Sequence, residues 1–151
     1  MKALTVNQPY ADAIVEGIKK YETRSRRTNI RGRVAIHAGK KILKAPALFR
    51  RLWELLGGDP GRYRGSWLYY RENGVPSQRF GAVIGTVEIM DCVPVEEIVE
   101  KLDETERLLG DYSPGRFAWV LKSPRKLPAP IPARGQLGFW EWAPPEGVGK
   151  A

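Results

Sequence analysis

Lys19, Glu22 and Arg24 lie close together in the run Gly17-Ile18-Lys19-Lys20-Tyr21-Glu22-Thr23-Arg24. Residues 21–24 alternate like a half-buried strand, which puts Glu22 and Arg24 on one face. Lys19, in the bend before that strand, reaches the same face. A carboxylate set between two cations is held ionised. Such a trio can accept an N–H from a base edge while the cations clamp a phosphate. It can also do acid–base work. Arg24 does not release its proton near neutrality, and Glu22 stays an anion. Lys19 is therefore the group in this segment able to cycle a proton, once burial or Arg24 lowers its pKa. The structural alternative is an ion-pair network that fixes the strand. Two further side chains have similar double readings. Gln8, held extended by Pro9, either reads a base edge with its amide or caps the helix that follows. His37, close to Lys40 and Lys41, either bonds a phosphate or shuttles a proton, or is a hydrogen-bonded strand residue.

Composition narrows the chemistry. The chain has 151 residues, one histidine and one cysteine, Cys92. One cysteine forms no intrachain disulfide, and a zinc site built on thiolates is excluded because such sites need several ligands. No metal and no cofactor is expected. A Ser-His-Asp triad would have to use His37. Hydrophobic residues make up 42%, enough for a packed core. The apolar runs are too short for a membrane span or a signal peptide, so no membrane partner and a cytoplasmic location are expected.

The net charge of +8 is unevenly placed. Residues 19–51 hold 12 basic side chains, among them Arg31, Lys40 and Lys41, and the one acid Glu22. Residues 88–111 hold nine acids against Lys101 and Arg107. A face of one sign steers an anion, and the 15 arginines suit bidentate phosphate contacts.

The elements that would position these residues are short. Strands are expected at 2–6, 21–24, 33–38, 81–93, 117–122 and 137–142. A helix at 10–16 follows from apolar Ala11, Ile14, Val15 and Ile18, with Gly17 as its left-handed stop. A second helix is expected at 47–56 and an amphipathic acidic one at 94–102, with a shorter helical piece up to 109. Gly85 inside its strand predicts a bulge or tight bend, and the prolines of 124–132 keep that run extended. Residues 57–61 are a firm helix terminator. Trp119 and Trp140 read as core, Cys92 as inert core, and Trp67 or Tyr70, among the arginines of 62–79, as possible stacking platforms. Strands that do not alternate with long helices argue for a small, bent, mostly antiparallel barrel with helical insertions.

The ordered motifs Asn7-Gln8-Pro9-Tyr10, Gly17-x-Lys19-x-x-Glu22-x-Arg24, Arg31-Gly32-Arg33-Val34-Ala35-Ile36-His37-Ala38, Gly85-Thr86-Val87-Glu88-Ile89, Asp91-Cys92-Val93-Pro94-Val95 and Phe117-Ala118-Trp119-Val120-Leu121 resemble the ASCH domain (activating signal cointegrator homology). The resemblance implies an α+β fold similar to the PUA β-barrel, with two or three helices in the connections and a cleft beside the first helix. It also implies RNA or DNA binding, coactivator roles, ribonuclease activity or hydrolysis of acetylated cytidine. The amidohydrolase branch uses the Lys of the Gly-x-Lys step, a hydroxyl residue three positions on and a later Glu. Lys19 matches, Glu22 stands where the hydroxyl would be, and Glu104 or Glu106 match the later Glu by spacing.

The chain is thus expected to be one domain over 1–142 with a frayed tail at 143–151. It is expected to bind RNA, or a nucleotide or nucleoside from it, in a basic cleft. Gln8, Lys19, Glu22 and Arg24 would form the floor, and Arg31, His37, Lys40 and Lys41 would meet the phosphates. The alternative is a metal-independent hydrolase of a modified nucleoside or an RNA phosphodiester in the same cleft, with Lys19 and Glu22 catalytic.

Overall fold

The computed structural model describes residues 1–42, 47, 50, 51, 54 and 80–148. Six strands dominate: β1 (Lys2–Gln8), β2 (Tyr21–Arg24), β3 (Gly32–Ile42), β4 (Ala82–Pro94), β5 (Phe117–Pro132) and β6 (Phe139–Glu141). Helix α1 (Tyr10–Val15) follows β1, and α2 (Glu104–Leu108) precedes β5. The strands form one sheet in the order β2-β5-β4-β3-β1-β6. Among the described strands only the β1–β3 pair is parallel.

The expected barrel is corrected to an open sheet, because β2 and β6 stand at its two ends and do not pair. The sheet is nevertheless strongly bent, and its two ends meet through side chains. Trp119 on β5 stacks on Phe139 of β6 at 5.3 Å between ring centres. Arg24 on β2 donates from Nη2 to the carbonyl oxygen of Thr5 on β1 at 3.3 Å. The register of β4 against β5 slips at three places, each of a kind that adds local twist. One slip lies at Gly85. A Cβ there would stand 2.5 Å from the Arg125 carbonyl oxygen and 2.6 Å from Val15 Cγ1, so only glycine lets β5 and α1 approach this closely. The core lies inside the bend, with Leu4, Ile14, Ile36, Ile84, Val87, Ile89 and Trp119 buried between α1 and the sheet.

Several elements differ from expectation. β3 runs through Lys40 and Lys41 to Ile42 instead of ending at Gly39, because β1 still offers it partners as far as Gln8. The expected acidic helix at 94–102 is two short 3-10 turns, Val95–Glu97 and Val99–Lys101, broken at Ile98. No residue of the second turn is buried, so it lacks the packing that holds most short helices. The proline run does not break β5, which continues from Phe117 to Pro132. The expected helix at 47–56 is represented by four helical positions, 47, 50, 51 and 54. Trp53 and the aromatic stretch with Trp67, Tyr69 and Tyr70 lie outside the described residues. Among the described residues no helix is long and apolar enough to cross a membrane.

Candidate functional site

Local structure first delivers Lys19. Gly17 stops α1 just past its C-cap, Glu16, and its φ of +78° suits a residue without a Cβ. Gly17 N donates to Ile14 O, and Ile18 N reaches back to Ala13 O, the pair of bonds that closes a Schellman motif. The reversal turns Lys19 inward, where only 2% of the residue is exposed. β2 starts two residues later and brings Glu22, 6% exposed, beside it.

The three charged groups form a chain. Lys19 Nζ stands 3.7 Å from Glu22 Oε1. Arg24 donates to Glu22 Oε2 from Nη2 at 2.8 Å and from Nε at 3.2 Å. Lys19 Nζ also donates to the carbonyl oxygen of Leu109 at 2.6 Å and sits 5.5 Å over the Tyr10 ring. Burial holds the Lys19 amine below its ordinary value of 10.5, and the Glu22 carboxylate works in the opposite direction. Arg24 in turn lies 5.7 Å from the Trp119 ring.

This trio forms the floor of a cavity of about 1270 Å³. Its walls come from β1 (Thr5, Val6, Asn7), the end of β3 (Gly39, Lys40, Lys41), the turn after α2 (Leu109, Gly110, Asp111) and the 132–138 segment. Among the described residues six cations line it, Lys19, Arg24, Lys40, Lys41, Arg116 and Arg134, against two anions, Glu22 and Asp111. Arg116 is tied down, donating to Thr23 O at 3.1 Å and pairing with Asp111 at 3.5 Å. Lys40, Lys41 and Arg134 are exposed and have no ion-pair partner among the described residues.

His37 organises one wall. Its Nε2 lies 2.7 Å from the carbonyl oxygen of Ala133, which only accepts, so Nε2 bears the hydrogen. Nδ1 is then the acceptor for the Thr5 hydroxyl at 3.2 Å, and Thr5 Oγ1 accepts from Trp140 Nε1 at 3.0 Å. Both ring nitrogens are committed within the fold. Burial lowers the pKa of this ring, and the nearby Lys40 adds to the effect. Gly135 packs directly on the ring: a Cβ there would fall 2.5 Å from His37 Cε1.

The ASCH domain profile matches residues 4–131. The chain belongs to the ASCH domain family. This ASCH domain is 27% identical over 140 residues to Activating signal cointegrator 1 from Homo sapiens. It is 28% identical over 144 residues to the protein of the same name from Mus musculus. In each case 91% of the chain is covered, and it spans 22% of the relative's length. Among solved structures it is similar to ASCH from Zymomonas mobilis, with 16% identity and a TM-score of 0.48, covering 87% of this chain and 72% of that one. A single-substitution variant of that protein aligns with a TM-score of 0.47 and 16% identity, over 87% and 74% of the two chains.

The ASCH cavity gathers Lys19, Glu22, Arg24, His37, Lys40 and Lys41. Gln8 and Arg31 are not among its lining residues. Gln8 is fully buried, and its Oε1 accepts from Asp12 N at 3.0 Å, which is the capping role. Arg31 lies away from this lining: it braces the turn before β3 by donating to Thr28 O and Ile30 O, and it faces Asp91 at 3.7 Å. Glu106 is buried but is not a lining residue. Its Oε1 accepts from Lys20 N at 2.6 Å. Sequence reasoning missed Tyr10, Asp111, Arg116 and Arg134. The Arg134-Gly135 step after a proline run resembles the Arg31-Gly32 turn and was its one available signal.

Proposed function

We propose that this ASCH domain binds RNA, or a nucleotide from it, in the cavity floored by Lys19, Glu22 and Arg24. The observation behind this reading is the excess, among the described residues, of six cations over two anions around a cavity of about 1270 Å³. That volume exceeds the roughly 300–1,000 Å³ of most small-molecule pockets, which favours more than one nucleotide. Lys40, Lys41 and Arg134, at the exposed rim, meet the phosphates, and the buried trio faces a base. His37 serves the site indirectly, by holding the wall from which Arg134 projects.

The test is the salt dependence of affinity for a short single-stranded RNA, read by fluorescence anisotropy. Log K should fall linearly with log salt, and Lys40→Ala, Lys41→Ala and Arg134→Ala should each flatten the slope by about 0.7. A slope near zero overturns the reading.

Hydrolysis in the same cavity is a second reading, supported by the buried Lys19 amine with its lowered pKa. Such an amine is free to act as a base nearer neutral pH than an exposed lysine. Lys19→Arg keeps the charge and removes that ability. A hydrolase should lose most of its turnover in this variant, whereas a binder should keep most of its affinity.

A further inference from the structure

The two oxygens of Glu22 are used differently. Oε2 accepts twice from Arg24. Oε1 accepts no hydrogen bond among the described residues, because Lys19 Nζ at 3.7 Å is an ion-pair neighbour beyond hydrogen-bond length. Lys19 brings three N–H groups, of which Leu109 O takes one. Arg24 uses Nε and Nη2, and its Nη1 makes no hydrogen bond among the described residues. All three residues line the cavity. Its floor therefore offers a ligand a donor at Lys19, an acceptor at Glu22 Oε1 and a donor at Arg24.

The complement of that order is an edge reading acceptor, donor, acceptor. Among the pyrimidines, uracil has it: a ring N3–H between two carbonyl oxygens. Cytosine places the lone pair of N3 at the middle position, where it would oppose the lone pair of a carboxylate. It also places its amino hydrogens against a cation. A buried site built to bond a polar group rejects an analogue that leaves that site unpaired. Burial helps here, since Lys19 and Glu22 are 2% and 6% exposed and water has little access to stand in for a missing partner.

We infer that the cavity selects uracil over cytosine, with Glu22 Oε1 accepting from N3–H while Lys19 and Arg24 donate to the flanking carbonyl oxygens. This rests on the reading of the cavity as an RNA site. Glu22 is then a specificity residue, distinct from the rim cations, which bind phosphate whatever the base. Comparing two pyrimidines keeps ring size and phosphate charge constant, so only the edge varies.

The experiment measures affinities of the full chain for oligo(U), oligo(C) and oligo(N3-methyluridine) of equal length at one salt concentration. Oligo(U) should bind roughly ten- to a hundredfold more tightly than oligo(C), the range of a good paired base contact. N3-methylation removes the donor without touching the protein and should abolish the preference. Glu22→Gln, whose amide can also donate, should bring the oligo(U) and oligo(C) affinities within about twofold of each other. Lys40→Ala should weaken both oligomers and leave their ratio intact. Equal, salt-dependent binding of oligo(U) and oligo(C) overturns the uracil assignment and leaves the RNA reading standing. Binding of neither oligomer overturns both. Undiminished binding of the methylated oligomer overturns the assignment even if the Glu22 variant does not fold.

Discussion

Lys19 Nζ donates to the carbonyl oxygen of Leu109 at 2.6 Å, across 90 residues of chain. The bond ties the turn after α1 to the turn after α2, the two segments that bring the cavity floor and one of its walls together. Lys19→Met removes the donor and leaves a buried carbonyl unpaired, so stability should fall by about 1–3 kcal/mol. The pH dependence is a second readout. Burial holds the folded-state pKa below 10.5. Between that lowered value and 10.5 the unfolded chain binds more protons than the folded one, so stability rises with pH across the window. Chemical denaturation at a series of alkaline pH values should show this rise in the native protein and its loss in Lys19→Met.

His37 gives the corresponding prediction in mild acid. Burial lowers its folded-state pKa below 6.5. The unfolded chain takes up the proton first, so stability falls as pH drops through 6.5 and stops falling below the folded value. His37→Gln removes the titration. Urea midpoints between about pH 5 and pH 7 should vary less in this variant than in the native protein.

Gly135 leaves no room for a side chain beside that ring. An alanine Cβ would lie 2.5 Å from His37 Cε1, 2.7 Å from Nδ1 and 2.9 Å from Thr5 Oγ1. Gly135→Ala should displace the wall that bears Arg134 and cost about 1–3 kcal/mol. RNA affinity should fall in the folded variant by at least the loss seen with Arg134→Ala.

Gly85→Ala tests the bend of the sheet. Its Cβ would meet backbone at Arg125 O and the buried Val15 side chain, and neither can swing away. A loss of about 3 kcal/mol or more is expected from overpacking at this depth, read as a fall in the thermal midpoint.

Tyr112 should move stability the other way. Its hydroxyl is buried with no hydrogen-bond partner among the described residues, and burial raises its pKa. Tyr112→Phe removes the unsatisfied group and keeps the ring. Stability should be unchanged or higher by up to about 1 kcal/mol in urea denaturation.

Local signals in the sequence were sufficient for much of this protein. Gly17 as a left-handed stop, Tyr21–Arg24 as a strand and the irregularity at Gly85 each depend on a few neighbouring residues. The Lys19-Glu22-Arg24 grouping was legible for the same reason, since a bend and a strand suffice to put three near residues on one face. Family membership followed from ordered motifs spread over most of the chain.

Tertiary structure decided the rest. Whether His37 faced a ligand depended on partners distant in sequence, Ala133 O and Thr5 Oγ1, whereas Gln8 found its partner, Asp12 N, only four residues on. Arg31 and Lys40 are the same kind of residue in sequence. One faces Asp91 on β4, and the other stands at the cavity rim. Whether the six strands closed into a barrel was equally non-local. Closure requires the edges β2 and β6 to hydrogen-bond, and the bent sheet instead brings its ends together through Trp119 on Phe139 and Arg24 on Thr5 O. A run of residues determines its own backbone preferences and periodicity. The burial of a charge, the partner of a polar atom and the closing of an edge are set largely by segments far along the chain, from the 19 residues that separate Arg24 from Thr5 to the 96 that separate His37 from Ala133, and no local pattern encodes them.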